Sequence, residues 1–136
     1  MSRALPWIRG AAAIVLVLHG LVHALGFVAL WRLAELEGIA YRTTVLDGRL
    51  EIGDTGARIL GLAWLALVPA FVVAAYGVAT GRRWALPVVG LVAAASLVVS
   101  ILGLPDSRPG LMIDVAILAV AGYLTLIVPS GRARSG

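Results

Sequence analysis

Four long apolar runs alternate with short polar segments along the chain. They cover about residues 6–33, 57–80, 84–102 and 111–128. A helix rising 1.5 Å per residue needs about 20 residues to cross the hydrocarbon core of a bilayer, and each run is of that order. The pattern predicts an all-α membrane fold: a four-transmembrane-helix bundle forming one polytopic domain over residues 1–136. Pro6 and Trp7 open the first run, where proline is tolerated at a helix start. Trp7, Trp31 and Trp84 fall at predicted helix ends, as interfacial aromatics do. Pro69 lies inside the second run and is expected to kink it.

The segment between the first two runs has a different period. Residues 41–46 and 49–54 flank Asp47-Gly48, a type I′ turn signal, so a β-hairpin is predicted over 41–54. A two-residue turn pairs Leu46 with Arg49, Val45 with Leu50, Thr44 with Glu51 and Thr43 with Ile52. One face then carries Tyr41, Thr43, Val45, Leu50 and Ile52; the other carries Arg42, Thr44, Leu46, Arg49 and Glu51. An isolated hairpin is marginal in water, so the apolar face is expected on the mouth of the bundle, as a stiff surface loop or as a functional lid. Asp54 or Thr55 is expected to cap the second helix.

Composition strengthens the membrane reading. The chain is 61% hydrophobic and 13% charged, with a mean hydropathy of +1.01; soluble domains are nearer 25% charged. All eleven basic residues are arginine, and they are scattered over loops and ends rather than clustered, which argues against nucleic acid. With no cysteine, disulfide exchange, thiolate metal sites and a cysteine nucleophile are excluded. Arg3 and Arg9 stand before the uncharged apolar part of the first run, as in a signal peptide, but that stretch is too long for one, so a retained helix is expected.

Charge also sets an orientation. The segments holding Arg3 and Arg9, Arg82 and Arg83, and Arg132 and Arg134 contain no acid. The first and third loops hold Glu35, Glu37, Asp47, Glu51, Asp54 and Asp106. The positive-inside rule then places both termini in the cytoplasm of a cell whose inner (plasma) membrane the chain crosses.

The candidate chemistry centres on His19 and His23, one helical turn apart within the first run. Ionisable groups at membrane depth are costly and usually face the bundle interior. Asp114 is the one carboxylate expected inside a span, and Ser96 and Ser100 lie one turn apart on the third. On a depth scale, His23 would lie about 12 Å below the outer surface. Asp114, Ser100 and Arg58 would lie within roughly two turns of that surface, and Asp54 and Asp106 at it. These positions predict a polar cavity opening outward beneath the hairpin and floored by His19. Asp114, paired with His23, is a candidate general base or proton acceptor, or else a counter-ion of Arg58 or Arg108; His19 joins them as a proton-handling candidate, and Arg58, Asp54, Ser100 and Asp106 are candidates to orient a ligand. The histidine spacing also suits chelation of a metal ion, with Asp114 as a further ligand, although the glutamate of the zinc-protease helix motif is replaced by Gly20. Haem would need a second copy or a weaker axial ligand, because two histidines on one helix face cannot bind one iron axially. A purely structural role, with the histidines bonded to serines, carbonyls or Asp114, stands beside these readings.

The block from His19 to Phe27, His-Gly-x-x-His-x-x-Gly-Phe, resembles an uncharacterised family of small bacterial four-helix membrane proteins. Similar features are Gly61 to Leu65 opening the second helix, Trp84 opening the third, and Asp106 to Gly110 before the fourth. The resemblance implies the fold and no activity. The family tends to carry asparagine where this chain has Asp114, so no shared catalytic role for Asp114 is implied.

Three functions fit these residues. One is a membrane-embedded enzyme or binding protein for a small lipophilic molecule, using histidine and aspartate acid–base chemistry. Another is a transporter or channel subunit, although small proton-coupled exporters use a glutamate in the first helix, and here none precedes Glu35. The third is an accessory subunit whose polar groups fasten helices. Homo-oligomers or a partner membrane protein are compatible with the last two.

Overall fold

The computed structural model describes residues 4–127. Arg3, Val128, Arg132 and Arg134 lie outside the described residues. Four helices, α1 (Ala4–Leu30), α2 (Gly53–Ala79), α3 (Ala85–Leu102) and α4 (Arg108–Ile127), follow one another, with a small hairpin between the first two. All four are long and apolar enough to cross a membrane. α1 packs along α2, α2 on α3 and α3 on α4, whereas α1 and α4 share no extended packing. The core gathers Leu16, Leu67, Phe71, Val89 and Val92. Large apolar side chains such as Leu91, Met112 and Tyr123 face outward.

The helix boundaries move by a few residues, each for a local reason. α1 stops three residues before the expected Leu33 because Arg32 turns left-handed, at φ 54°. Leu33 N–H then donates to Val28 O (2.9 Å) and Arg32 N–H to Ala29 O (3.0 Å). These are the two bonds of a Schellman cap, built here on an arginine instead of the usual glycine. α2 begins four residues earlier than expected, at Gly53, and runs uninterrupted through Pro69. The expected caps are not used: Asp54 lies within the first turn, and no side chain caps from Ile52. Instead Gly53 N–H donates to Glu51 Oε1 at 2.9 Å. α4 begins three residues early, with Pro109 in the first turn, where a helix needs no N–H.

Close approach of α1 to α2 depends on two glycines. A Cβ placed on Gly20 would come within 2.6 Å of Phe71 Cβ, and one on Gly26 within 2.6 Å of the Trp64 ring. Small residues permit such contact between membrane helices. Here they let Trp64 and Phe71 pack over the two histidine rings, at centroid separations of 5.0–5.4 Å.

The hairpin forms in the expected register. Strands β1 (Thr44–Val45) and β2 (Leu50–Glu51) pair antiparallel, Thr44 with Glu51 and Val45 with Leu50. Asp47 and Gly48 both have positive φ, as a type I′ turn requires. Each strand is only two residues long, and the apolar face is used in part: Val45 is buried whereas Leu50 is exposed. Backbone bonds from Leu46 N–H to Leu102 O (3.2 Å) and from Asp47 N–H to Leu104 O (3.3 Å) stitch the tip to the α3–α4 connection. The hairpin is therefore anchored across one end of the bundle.

Candidate functional site

His19, His23 and Asp114 meet between α1, α3 and α4, all three buried. The histidines bond to a serine, a carbonyl and Asp114, as the structural reading has it, but with a different pairing of histidine and carboxylate from the acid–base reading. Asp114 was expected to pair with His23, but its Oδ1 lies 2.7 Å from His19 Nε2, and its Oδ2 accepts Ser100 Oγ–H at 3.0 Å. His23 Nδ1–H donates to the His19 carbonyl (2.9 Å), and His23 Nε2 lies 2.7 Å from Ser96 Oγ. A carbonyl only accepts, so His23 is protonated at Nδ1, and Ser96 donates to the Nε2 lone pair. The correction follows from helix phase. One turn separates the histidines along α1, and α4 presents Asp114 to the first while α3 presents Ser96 to the second.

One polar atom in the cluster has no partner among the described residues. His19 Nδ1 is buried and unbonded. An unpaired acceptor is tolerated better than an unpaired donor, so the arrangement favours Nε2–H donating to Asp114 with a bare lone pair at Nδ1.

Above the cluster lies a cavity of about 310 Å³. His19 and His23 line its floor, and Val22, Leu30, Leu60, Trp64 and Leu102 form apolar walls. Ile39, Ala40, Arg42 and Thr44 from the long first loop roof it, together with Asp106 and Ser107 from the α3–α4 connection. Asp106 ties that roof together: it accepts from Arg42 Nη2 (3.2 Å) and from Ala40 N–H (3.4 Å). Val22 lines the cavity yet remains half exposed, so α1 offers a lateral edge at this depth.

The remaining expected ligand-orienting residues divide. Asp106 reaches the cavity, whereas Ser100 serves Asp114 from behind. Arg58 and Asp54 do not line the cavity. Arg58 is exposed on the first turns of α2, and its carbonyl accepts Trp31 Nε1–H at 3.1 Å. Asp54 accepts from Arg32 (3.3 Å) and from the Tyr41 hydroxyl, while the Arg32 guanidinium stacks 3.8 Å over the Tyr41 ring. Its hydrogen bond to Asp54 raises the Tyr41 phenol above its ordinary value of 10.0. Both residues were placed by depth alone, and depth carries no information about which way a helix faces. Arg42, Thr44 and Trp64 were not singled out as site residues. The alternation of the hairpin puts Arg42 and Thr44 on one face, and these two of its five residues line the cavity.

Comparison with protein-family models, characterised proteins and solved structures finds no match for this chain.

Proposed function

We propose that this chain is a multi-pass membrane protein that holds a small lipophilic molecule in the cavity beneath the hairpin and handles a proton at the histidine floor. One observation carries the reading: the apolar walls of the cavity end on two buried histidines, one of them oriented by a buried carboxylate. Ligand sites are characteristically apolar with few, well-placed polar groups. A carboxylate that fixes a histidine tautomer leaves the opposite nitrogen able to accept a proton from a ligand hydroxyl. The lateral edge at Val22 offers entry from the bilayer.

Charge supports an orientation with both termini in the cytoplasm of a plasma membrane. Arg9 lies against Gly81 at the α2–α3 turn, so the acid-free basic segments that are described share one end of the bundle. The hairpin and Asp106 share the other. The His19–Phe27 block would then mark a family built on this plan.

The test compares the wild-type chain with Val22→Trp, which fills the cavity from a half-exposed position. Both are purified from native membrane, and apolar extracts are compared by mass spectrometry. A small apolar species present with wild type and depleted at least tenfold in the variant is expected. Identical extracts would overturn the reading. A structural role for the cluster has its own support, since the His19–Asp114 bond is the side-chain hydrogen bond joining α1 to α4 among the described residues. That role alone predicts no ligand in either sample.

A further inference from the structure

We infer that the histidine floor binds a divalent cation of borderline softness, such as Zn²⁺, through His19 Nδ1 and His23 Nε2.

The first support is the state of the two rings. Metal-binding histidines characteristically donate their other ring N–H to a carboxylate or backbone carbonyl, which fixes the tautomer and aims the lone pair. Both histidines here have that second partner. His19 Nε2 is anchored on Asp114 Oδ1 (2.7 Å), and His23 Nδ1 on the His19 carbonyl (2.9 Å). The lone pairs left over are those of His19 Nδ1 and His23 Nε2. The first has no partner at all. The second is met by Ser96 Oγ at 2.7 Å, so an ion there would have to displace that hydroxyl, which could then serve as an oxygen ligand. Asp114 therefore acts from behind His19, rather than as the direct ligand that sequence suggested.

Proximity is the second. The two rings lie one turn apart with centroids 4.9 Å from each other, and one donor atom from each of His19, His23 and Asp114 falls within 4.8 Å of the others. Zinc–nitrogen bonds of about 2.0–2.1 Å bring two ligand atoms within roughly 3.3–4 Å, so the rings and the Ser96 hydroxyl must shift for both nitrogens to meet one ion.

Charge is the third. Asp114 is fully buried, and among the described residues no arginine pairs with it. A buried carboxylate needs a compensating cation. Protonating His19 would supply one, but would place a second N–H at Nδ1 where no acceptor is found. A divalent ion at Nδ1 satisfies the lone pair and the carboxylate together. The ligand set is nitrogen with an available hydroxyl and no thiolate, which suits zinc and related imidazole-binding ions. Open zinc sites use three protein ligands and keep one free position; here the two nitrogens and the Ser96 hydroxyl would be the three, and the ion would take the Nδ1 lone pair in place of the proton, so at His19 the metal and the proton are alternative occupants.

The experiment uses the full chain in detergent, stripped with chelator and titrated with Co²⁺ and Zn²⁺. The expected result is one ion per chain, with a visible Co²⁺ absorption band and quenching of tryptophan fluorescence, since the Trp64 ring lies 5.1 Å from that of His23. His19→Ala and His23→Ala should each weaken binding at least 100-fold. Asp114→Asn should keep the stoichiometry and weaken binding about 10–100-fold, as outer-shell changes do. Wild-type protein that takes up no ion at 100 µM Co²⁺ overturns the inference, even if the variants fold poorly. Undiminished binding by folded His19→Ala and His23→Ala overturns it as well, because the ion would then sit elsewhere. The cavity ligand is read separately, from the apolar extract, so either proposal can fail alone.

Discussion

Two aspartates in this molecule make the same kind of bond in opposite surroundings. Asp114 meets His19 at 2.7 Å with both side chains almost wholly buried, 3% and 0% exposed. Asp54 meets Arg32 at 3.3 Å with side chains 62% and 68% exposed. The first pair joins helices that otherwise scarcely touch, and the second fastens a loop to the start of a helix already packed on its neighbour. A buried polar pair matters because its partners have no alternative; an exposed one competes with water at every moment. The fold therefore hangs its α1–α4 side on one polar contact, while the rim is held by several weak ones.

The sharpest way to break this contrast is to truncate the buried pair. Asp114→Ala leaves His19 Nε2–H and Ser100 Oγ–H without their acceptor. Leaving a buried donor without its acceptor typically costs about 1–3 kcal/mol for each group. Thermal unfolding in one detergent should show a large drop, with α4 the first element to exchange amide hydrogens. Asp114→Asn keeps an oxygen for His19 and should recover more than half of that loss. If Asp114→Ala unfolds like wild type, the buried pair is not what holds α4.

Next in size is the packing that shapes the floor. Gly26→Val would drive side-chain atoms into Trp64, which already lies 2.6 Å from where a Cβ would begin. Overpacking of this kind costs about 1–3 kcal/mol. Because Trp64 is both a cavity wall and a neighbour of His23, the tryptophan emission should shift along with stability. A shift in stability without any spectral change would place the strain away from the site.

The same contrast explains how far the sequence could be read. Apolar run length and the Asp47-Gly48 turn are local, and both the four helices and the hairpin register were legible from them. The histidine pair was legible as a cluster because both members lie on one helical turn. The set of partners was legible too, as serines, carbonyls or Asp114, but which histidine takes which was not. His19 and Asp114 are 95 residues apart, and which histidine receives the carboxylate depends on the rotation of α4 about its axis. Nothing in an apolar 20-residue stretch specifies that rotation before it packs. Asp54 and Arg58 do not line the cavity, and for the same reason: a position along the helix does not say which way the side chain faces. The Schellman stop at Arg32 was hidden because its left-handed residue is not glycine.

That arginine gives the smallest test, at the exposed end of the comparison. A non-glycine residue at φ 54° carries a local cost, offset here by the Asp54 ion pair and by stacking on Tyr41. Arg32→Gly removes the conformational cost and the contacts together, so stability should stay within about 1 kcal/mol of wild type. Arg32→Ala keeps the cost and loses the contacts, and should be the less stable of the two. The Tyr41 hydroxyl bond adds a pH dependence of known sign. Its folded value is raised, so its contribution is complete below the unfolded value near 10 and fades as pH climbs through the folded one. Phenolate absorbance should rise for Tyr41 at higher pH than for an ordinary tyrosine, identified by difference against Tyr41→Phe. In Asp54→Asn that midpoint should move down, because the carboxylate that raises it is gone, while the buried His19–Asp114 pair is left unchanged. An unmoved midpoint would mean that the rim contact does not form in solution, and the exposed half of the comparison would then rest on Asp106 alone.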